Sequence, residues 1–251
     1  MRLGAVTLDA AGTLFEPAEP IGVTYAQIAR RHGIVVAADA VERGFADAFA
    51  AAPPLAFPDA TPATLADDER AWWSSVVRAA LGAEPTPAFA ACFAELYEHY
   101  ARPAAWCMFA DVPDALRALR ARGLRLAVVS NFDRRLDGLV AGLGLAPLLD
   151  AIVPSTRAGA AKPAPEIFHV ALRALGVPAV AALHAGDGVT ADVAGARAAG
   201  LGAVLVDRRT RRPPIRPPIR PPIRPPVPAG TVVVTTLAEL PRVVDVTDMP
   251  R

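Results

Sequence analysis

Residues 3–9, LGAVTLD, form a short apolar run suited to a buried strand, and Gly12 signals a turn just after it. From about 20 to 101 the apolar positions take helical spacing instead. YAQIARRHG, AVERGFADAFA, ERAWWSSVVRAAL and AFAACFAELYEHY each predict a helix, with breaks near Pro53-Pro54 and Pro85–Pro87. No strand pattern stands out in that stretch, and its Trp72, Trp73, Tyr97 and Tyr100 read as packing residues. From about 112 helix and strand alternate. PDALRALRARG, RRLDGLVAGLG, PEIFHVALRALG and TADVAGARAAG have the helical period, while LRLAVVSN, AIVPS, ALHAGD, AVLVD and TVVVTT read as short buried strands. LAELPRVV closes the series.

Such alternation predicts an α/β fold, a parallel sheet with helices on both faces. Residues 1–16 and 103–251 would form its core, and 17–102 an α-helical cap inserted after the first strand, over the strand ends. The tract RPPIRPPIRPPIRPPV at 212–227 is half proline, so it joins neither helix nor central strand and is expected as an exposed polyproline II loop. Its PxxP spacing offers a ligand for an aromatic groove, but the composition makes that spacing unavoidable, and an inert spacer is the preferred reading.

With 53% hydrophobic residues in 251, a sizeable core is available, and no apolar run reaches the ~20 residues of a membrane span. Without a secretory pattern at the start, the expected location is the cytoplasm. Cys92 and Cys107 have neither metal-ligand nor disulfide spacing. A net charge of +1 gives no reason to expect nucleic acid as a partner. Of 26 basic residues only Lys162 is lysine, which draws attention to a position where a compact ammonium is used.

Reactive groups of an open parallel sheet gather outside the carboxyl ends of its strands. Asp9 closes the first strand, Ser130 the second and Asp187 a later one, and Lys162 lies just beyond AIVPS. A strand-end Asp or Ser often does no more than cap a helix, so none of these positions decides a function by itself. Their occurrence together in this order is far more specific.

LDAAGTLF, VVSN, AKPAPEIF and GDGVTAD resemble, in order and spacing, the four motifs of the haloacid dehalogenase superfamily. GLRLAVVSNFDRRLDGLVAGLGL resembles, within it, the group named haloacid dehalogenase-like hydrolase domain-containing protein 3. The resemblance implies a Rossmann-like core, a helical cap and Mg²⁺-assisted hydrolysis of a small phosphorylated substrate. It implies that Asp9 attacks phosphorus, that Ser130 hydrogen-bonds a phosphoryl oxygen, and that Lys162 neutralises charge on both. Gly12, Thr13 and Asn131 fall on substrate-binding or orienting positions. Mg²⁺ would be held by Asp9, the backbone carbonyl of Ala11, Asp187 and Asp192. A phosphoryl transition state spreads negative charge over its oxygens, and fixed cations and donors stabilise it.

The sequence departs from the phosphatase pattern at Ala11, where a second Asp would protonate the leaving oxygen and activate water. Gly188, where many relatives have Ser, is a lesser departure. Three readings follow. The first is a phosphatase restricted to leaving groups that depart without a proton, slow on alkyl phosphates. The second is a 2-haloacid dehalogenase, since DAAGT resembles the DAYGT step of those enzymes, although GDGVTAD keeps the acidic pattern of the phosphatases. The third is a scaffold that binds a ligand or partner with little turnover. Phosphonoacetaldehyde hydrolases also carry Ala here, but they need a Lys in the cap, and this cap has none. His32, His99, His169 and His184 are candidate substitute bases, with surface or core roles preferred for each.

Overall fold

The computed structural model describes residues 3–208 and 225–247. Six parallel strands form the sheet: β1 (Ala5–Leu8), β4 (Arg125–Ser130), β5 (Ala151–Pro154), β6 (Ala182–Gly186), β7 (Gly202–Val206) and β8 (Val232–Val234). Their order is β5-β4-β1-β6-β7-β8, which puts the first strand in the middle. Alternate side chains of a strand point to opposite faces. Val6 and Leu8 of β1 join Leu126, Val128, Leu183 and Val204 on one face. Ala5 joins Ala127, Val129 and Ala182 on the other.

The first face is covered by α5 (Val112–Ala121), α6 (Arg135–Gly142) and α10 (Leu240–Thr247). The second is covered by α8 (Pro165–Leu175) and the short α9 (Gly195–Ala198). With both faces buried, the central strands are mostly apolar rather than alternating, as in other parallel sheets, while the edge strand β8 leaves Val232 and Val233 exposed. This Rossmann-like core agrees with the α/β expectation. A short helix, α7 (Ser155–Ala158), follows β5. The predicted helix TADVAGARAAG is instead a π-helical turn, Val189–Ala194, running into α9.

Between β1 and β4 lie α1 (Ile21–Arg31), α2 (Ala38–Ala51), α3 (Leu65–Leu81) and α4 (Pro87–His99). Proline sets two of these boundaries. The chain leaves α2 just before Pro53-Pro54, and α4 starts at Pro87, whose missing N–H costs nothing in a first turn. Thr86 caps α4 by accepting from the Phe89 N–H. The four helices have an apolar core of their own around Tyr25, Ile28, Val77, Phe89, Phe93 and Leu96.

A two-stranded antiparallel ribbon, β2 (Phe15–Pro17) with β3 (Trp106–Met108), flanks this helical lobe and was not expected from the pattern. Three residues are too few to show a period of two, and β3 is only partly buried. The lobe meets the core just past the strand ends. Trp73 Nε1 donates to Asp133 at 2.6 Å, and Glu69 accepts from the Arg134 N–H at 3.2 Å and from Thr156 Oγ1 at 2.6 Å.

The polyproline expectation for the RPPI tract falls, but for its last three residues, outside the described residues. Among the described residues, no helix is long and apolar enough to cross a membrane.

Candidate active site

The central position of β1 gives Asp9 neighbours on both sides. Leu8 is in register with Val128 of β4 and Ala185 of β6, so Ser130 and Asp187 emerge beside Asp9 at the same end of the sheet. The Asp9 N–H donates to Ala185 O at 3.0 Å, which fixes the direction in which its side chain leaves the strand. Ser130 is the buried last residue of β4.

Lys162 arrives on a loop, and Asn131 holds that loop by both ends of its amide. Asn131 Oδ1 accepts from the Lys162 N–H at 2.7 Å, and Asn131 Nδ2 donates to Lys162 O at 2.9 Å. Asn131 is thus occupied in positioning Lys162. The Lys162–Pro163 bond is cis.

The Lys162 ammonium is buried and bridges two carboxylates, donating to Asp9 Oδ1 and to Asp192 Oδ1 at 2.6 Å each. Asp192 is also held by the Gly188 N–H at 2.7 Å and lies 3.0 Å from His184 Nε2. The other ring nitrogen of His184 meets Thr7 Oγ1 at 2.8 Å, so a buried chain runs from inside β1 to the ammonium.

These contacts set the charges. Burial opposes ionisation of Asp192, but Lys162 and His184 more than offset it and hold its carboxyl well below the usual range. Burial raises Asp9, Lys162 opposes that rise and Asp192 adds to it, with a net upward shift. Burial lowers His184, favouring the neutral ring. Burial works against the charged Lys162, yet Asp192 and Asp9 hold its pKa above the ordinary value. Asp187 opens to solvent at the rim, but loss of water around the carboxyl itself, and the charges of Asp9 and Asp192, push it up to about 7.

Asp9, Asp187 and Asp192 can offer ligand oxygens that all lie within 4.8 Å of one another. With Lys162 the only ammonium among them, the group keeps a surplus of negative charge. Hard oxygen donors and uncompensated charge fit a hard divalent cation such as Mg²⁺. Close quarters explain two glycines. Gly12 has φ +84°, and a Cβ there would stand 2.6 Å from Asp187 Oδ2. A Cβ on Gly186 would collide with the Asp192 carboxylate.

Of the residues singled out from sequence, Asp9, Ser130, Lys162, Asp187, Asp192, Gly12 and Asn131 gather here. Thr13 is fully buried nearby in sequence, its hydroxyl without a hydrogen-bond partner among the described residues. Ala11 forms an isolated bridge with Phe15 at the start of the ribbon. Three histidines go elsewhere: His32 meets Glu95, His99 packs edge-on against Tyr100, and His169 lies against Ala199 O. His184, the fourth candidate base, does belong to the site, bonded to Asp192 and Thr7. Thr7 had no legible signal as a member beyond inward alternation on its strand.

Comparison with known proteins bears on this geometry. The model of the haloacid dehalogenase-like hydrolase family matches residues 3–200. The chain is 38% identical over 209 residues to haloacid dehalogenase-like hydrolase domain-containing protein 3 of Homo sapiens, covering 82% of each. It is 40% identical over 106 residues to a phosphoserine phosphatase of Thermus thermophilus, 41% of this chain and 42% of that protein. Among solved structures, a HAD phosphatase from Thermococcus onnurineus superposes with a TM-score of 0.65 at 21% identity, covering 96% of this chain and 98% of that one. An L-2-haloacid dehalogenase from Xanthobacter autotrophicus does so with 0.62 at 23%, covering 97% and 98%. At these identities the two structures speak for the fold alone.

Proposed function

This chain belongs to the haloacid dehalogenase-like hydrolases, and from that membership we propose that it hydrolyses small phosphorylated metabolites with Mg²⁺, through a phosphoryl group carried on Asp9. The observation that carries this reading is the buried ammonium of Lys162 on Asp9, with the carboxylates of Asp187 and Asp192 gathered around the same atoms.

Lys162 holds one oxygen of Asp9 at 2.6 Å, opposing the effect of burial on the carboxyl and leaving the second oxygen to attack. The bond from this oxygen to phosphorus forms while the ester P–O bond breaks, and the bonding pair stays on the leaving oxygen. Ser130 donates its hydroxyl to a phosphoryl oxygen, and Lys162 balances the charge that builds there. Water then attacks phosphorus, releasing inorganic phosphate and restoring Asp9. Asp192, His184 and Thr7 hold the ammonium in place, and Asn131 holds its backbone. Mg²⁺, when bound by Asp9, Asp187 and Asp192 with the Ala11 carbonyl, supplies positive charge that screens the carboxylates from the phosphoryl oxygens.

Ala11 restricts this chemistry. No side chain there gives a proton to the leaving oxygen or takes one from water, a contribution of about 10²–10⁴-fold. Turnover is therefore weak on alkyl phosphates and best with leaving groups that depart as anions.

Ala11 also favours a second reading, 2-haloacid dehalogenation, because halide needs no proton. Against it stand Asp187 and Asp192, a divalent-cation set that halide displacement has no use for. The deciding assay compares release of phosphate from an aryl phosphate, with Mg²⁺ and with EDTA, to release of halide from a short 2-haloacid. Mg²⁺-dependent phosphate release that disappears in Asp9→Asn is expected. Halide release that persists in EDTA, without phosphate release, overturns the proposal in favour of the dehalogenase.

A further inference from the structure

The turn that follows Asp9 is bonded into one piece. Ala10 O accepts from the Thr13, Leu14 and Phe15 N–H groups at 3.2, 2.7 and 3.2 Å, and the Gly12 N–H donates to Phe15 O at 2.8 Å. These bonds close residues 10–15 on themselves, so a shift at Thr13 carries Ala11 and Gly12 with it. Towards the site the piece has no slack, because Gly12 stands too close to Asp187 for a side chain. Arg208 bears on it from elsewhere.

Arg208 lies two residues past β7, the neighbour of β6, whose last residue Gly186 precedes Asp187. Three nitrogens of its guanidinium are in use. Nε and Nη2 donate to Thr13 O at 3.1 and 2.8 Å, and Nη1 donates to Asp111 Oδ1 at 2.9 Å. The central carbon of the group lies 3.9 Å from the centre of the Phe109 ring. Asp111 is itself fixed, since its Oδ2 accepts from Thr236 Oγ1 at 2.5 Å and from the Leu237 N–H at 2.6 Å. The Arg208 side chain is only 13% exposed.

The same place is the root of the antiparallel ribbon. β2 starts at Phe15 and β3 ends at Met108, and the Phe109 N–H donates to Leu14 O at 3.1 Å. Stability alone would need no more than the pair with Asp111. Two further donors on one carbonyl of the nucleophile turn, from the end of another strand, constrain where that turn sits. Only a planar fork serves carbonyl, carboxylate and ring together, whereas an ammonium is a point charge.

We propose that Arg208 is a positioning residue of the site. Acting through the Thr13 carbonyl, it holds Ala11 and Gly12 against Asp187 and so sets the oxygen donors that take the cation. This deepens the phosphatase reading and rests on its cation set. Outer partners of metal ligands change metal affinity by about 10- to 100-fold when removed. The sign of the effect separates positioning from charge. A guanidinium repels a nearby cation, so loss of its charge alone tightens cation binding. Loss of the brace frees the turn and weakens it.

The test measures Mn²⁺ binding to the full chain without substrate, from the loss of the free-ion paramagnetic resonance signal. Mn²⁺ shares the preference of Mg²⁺ for oxygen donors, and loss of binding in Asp187→Asn assigns it to this site. Arg208→Met is expected to raise the Kd about ten-fold or more. Arg208→Lys keeps the charge without the fork and is expected to recover only part of the affinity. Leu119→Ala is the control for lost stability, a fully buried core position where α5 leads towards the start of β4, away from these strand ends. Its Kd is expected to equal that of the wild type.

Unchanged or tighter binding in Arg208→Met overturns the proposal, and so does equal weakening in Leu119→Ala. Should Arg208→Met fail to fold, Arg208→Lys decides, and wild-type affinity in that variant overturns the role of the fork. Aryl phosphate turnover keeps the two levels apart. A wild type that binds Mn²⁺ at Asp187 but hydrolyses no phosphate ester removes the phosphatase reading and leaves the brace to be judged by Kd. A wild type that binds no Mn²⁺ removes both.

Discussion

Ala11 follows the proposed nucleophile by two positions, and its methyl group can neither give nor take a proton. Ala11→Asp is therefore expected to raise alkyl phosphatase activity at least ten-fold, at the lower end of the ordinary acid–base contribution. Steady-state rates on an alkyl phosphate check this, and an unchanged rate would place the limit in pocket geometry. Gly12 shows how tightly its neighbourhood is packed. Its left-handed backbone and its approach to Asp187 leave no space for a side chain, and the turn signal seen in the sequence was this position. Lys162 was legible for a different reason, as the single Lys among 26 basic residues. His184 stood among four candidate bases, but its bonds to Asp192 and Thr7 were not legible, since these partners lie far apart in the chain and on different elements.

Elements are joined by buried polar ties that no single segment announces. Asp133 has no exposed surface, and it accepts from Trp73 of α3 at 2.6 Å and from Arg135 at 2.6–3.1 Å. Asp133→Ala strands the Arg135 guanidinium, whose side chain is 10% exposed, and is expected to lower stability by about 3–5 kcal/mol in urea unfolding. A second tie links α5 to the end of the sheet. Asp111 accepts from Arg208, from Thr236 Oγ1 and from the Leu237 N–H. Burial works against its ionisation, but Arg208 and Thr236 win and hold its carboxyl below the usual 3.8. An acid with a depressed folded pKa stabilises fully above its unfolded pKa, and that stability is lost as pH falls through the folded value. The melting-temperature gap between wild type and Asp111→Asn is thus expected to be constant from pH 8 to about 5 and to close below pH 4. The helices and strands themselves were readable from periodicity. The β2–β3 ribbon was too short for it, and the π-helical turn at Val189–Ala194 has the same apolar pattern as an α-helix.

At the scale of the whole molecule, the carboxylates of Asp9, Asp187 and Asp192 are a standing electrostatic cost that a bound cation would relieve. Mg²⁺ at 100 times its Kd is expected to stabilise the protein by about 2.7 kcal/mol, read as a rise in melting temperature that EDTA reverses. Asp187→Asn, which removes one ligand charge, is expected to shrink that rise. The sequence determined the order of strands and helices and the four strand-end positions of the chemistry, because hydrophobic period and turn residues are local properties. It also determined the missing proton donor, which is a matter of identity at one position. Tertiary structure alone decided that Lys162 bridges Asp9 and Asp192, that His184 stands behind them, and that Arg208 reaches the Thr13 carbonyl. These depend on which strands lie side by side and how far apart distant loops come to rest, and no window along the chain contains both partners.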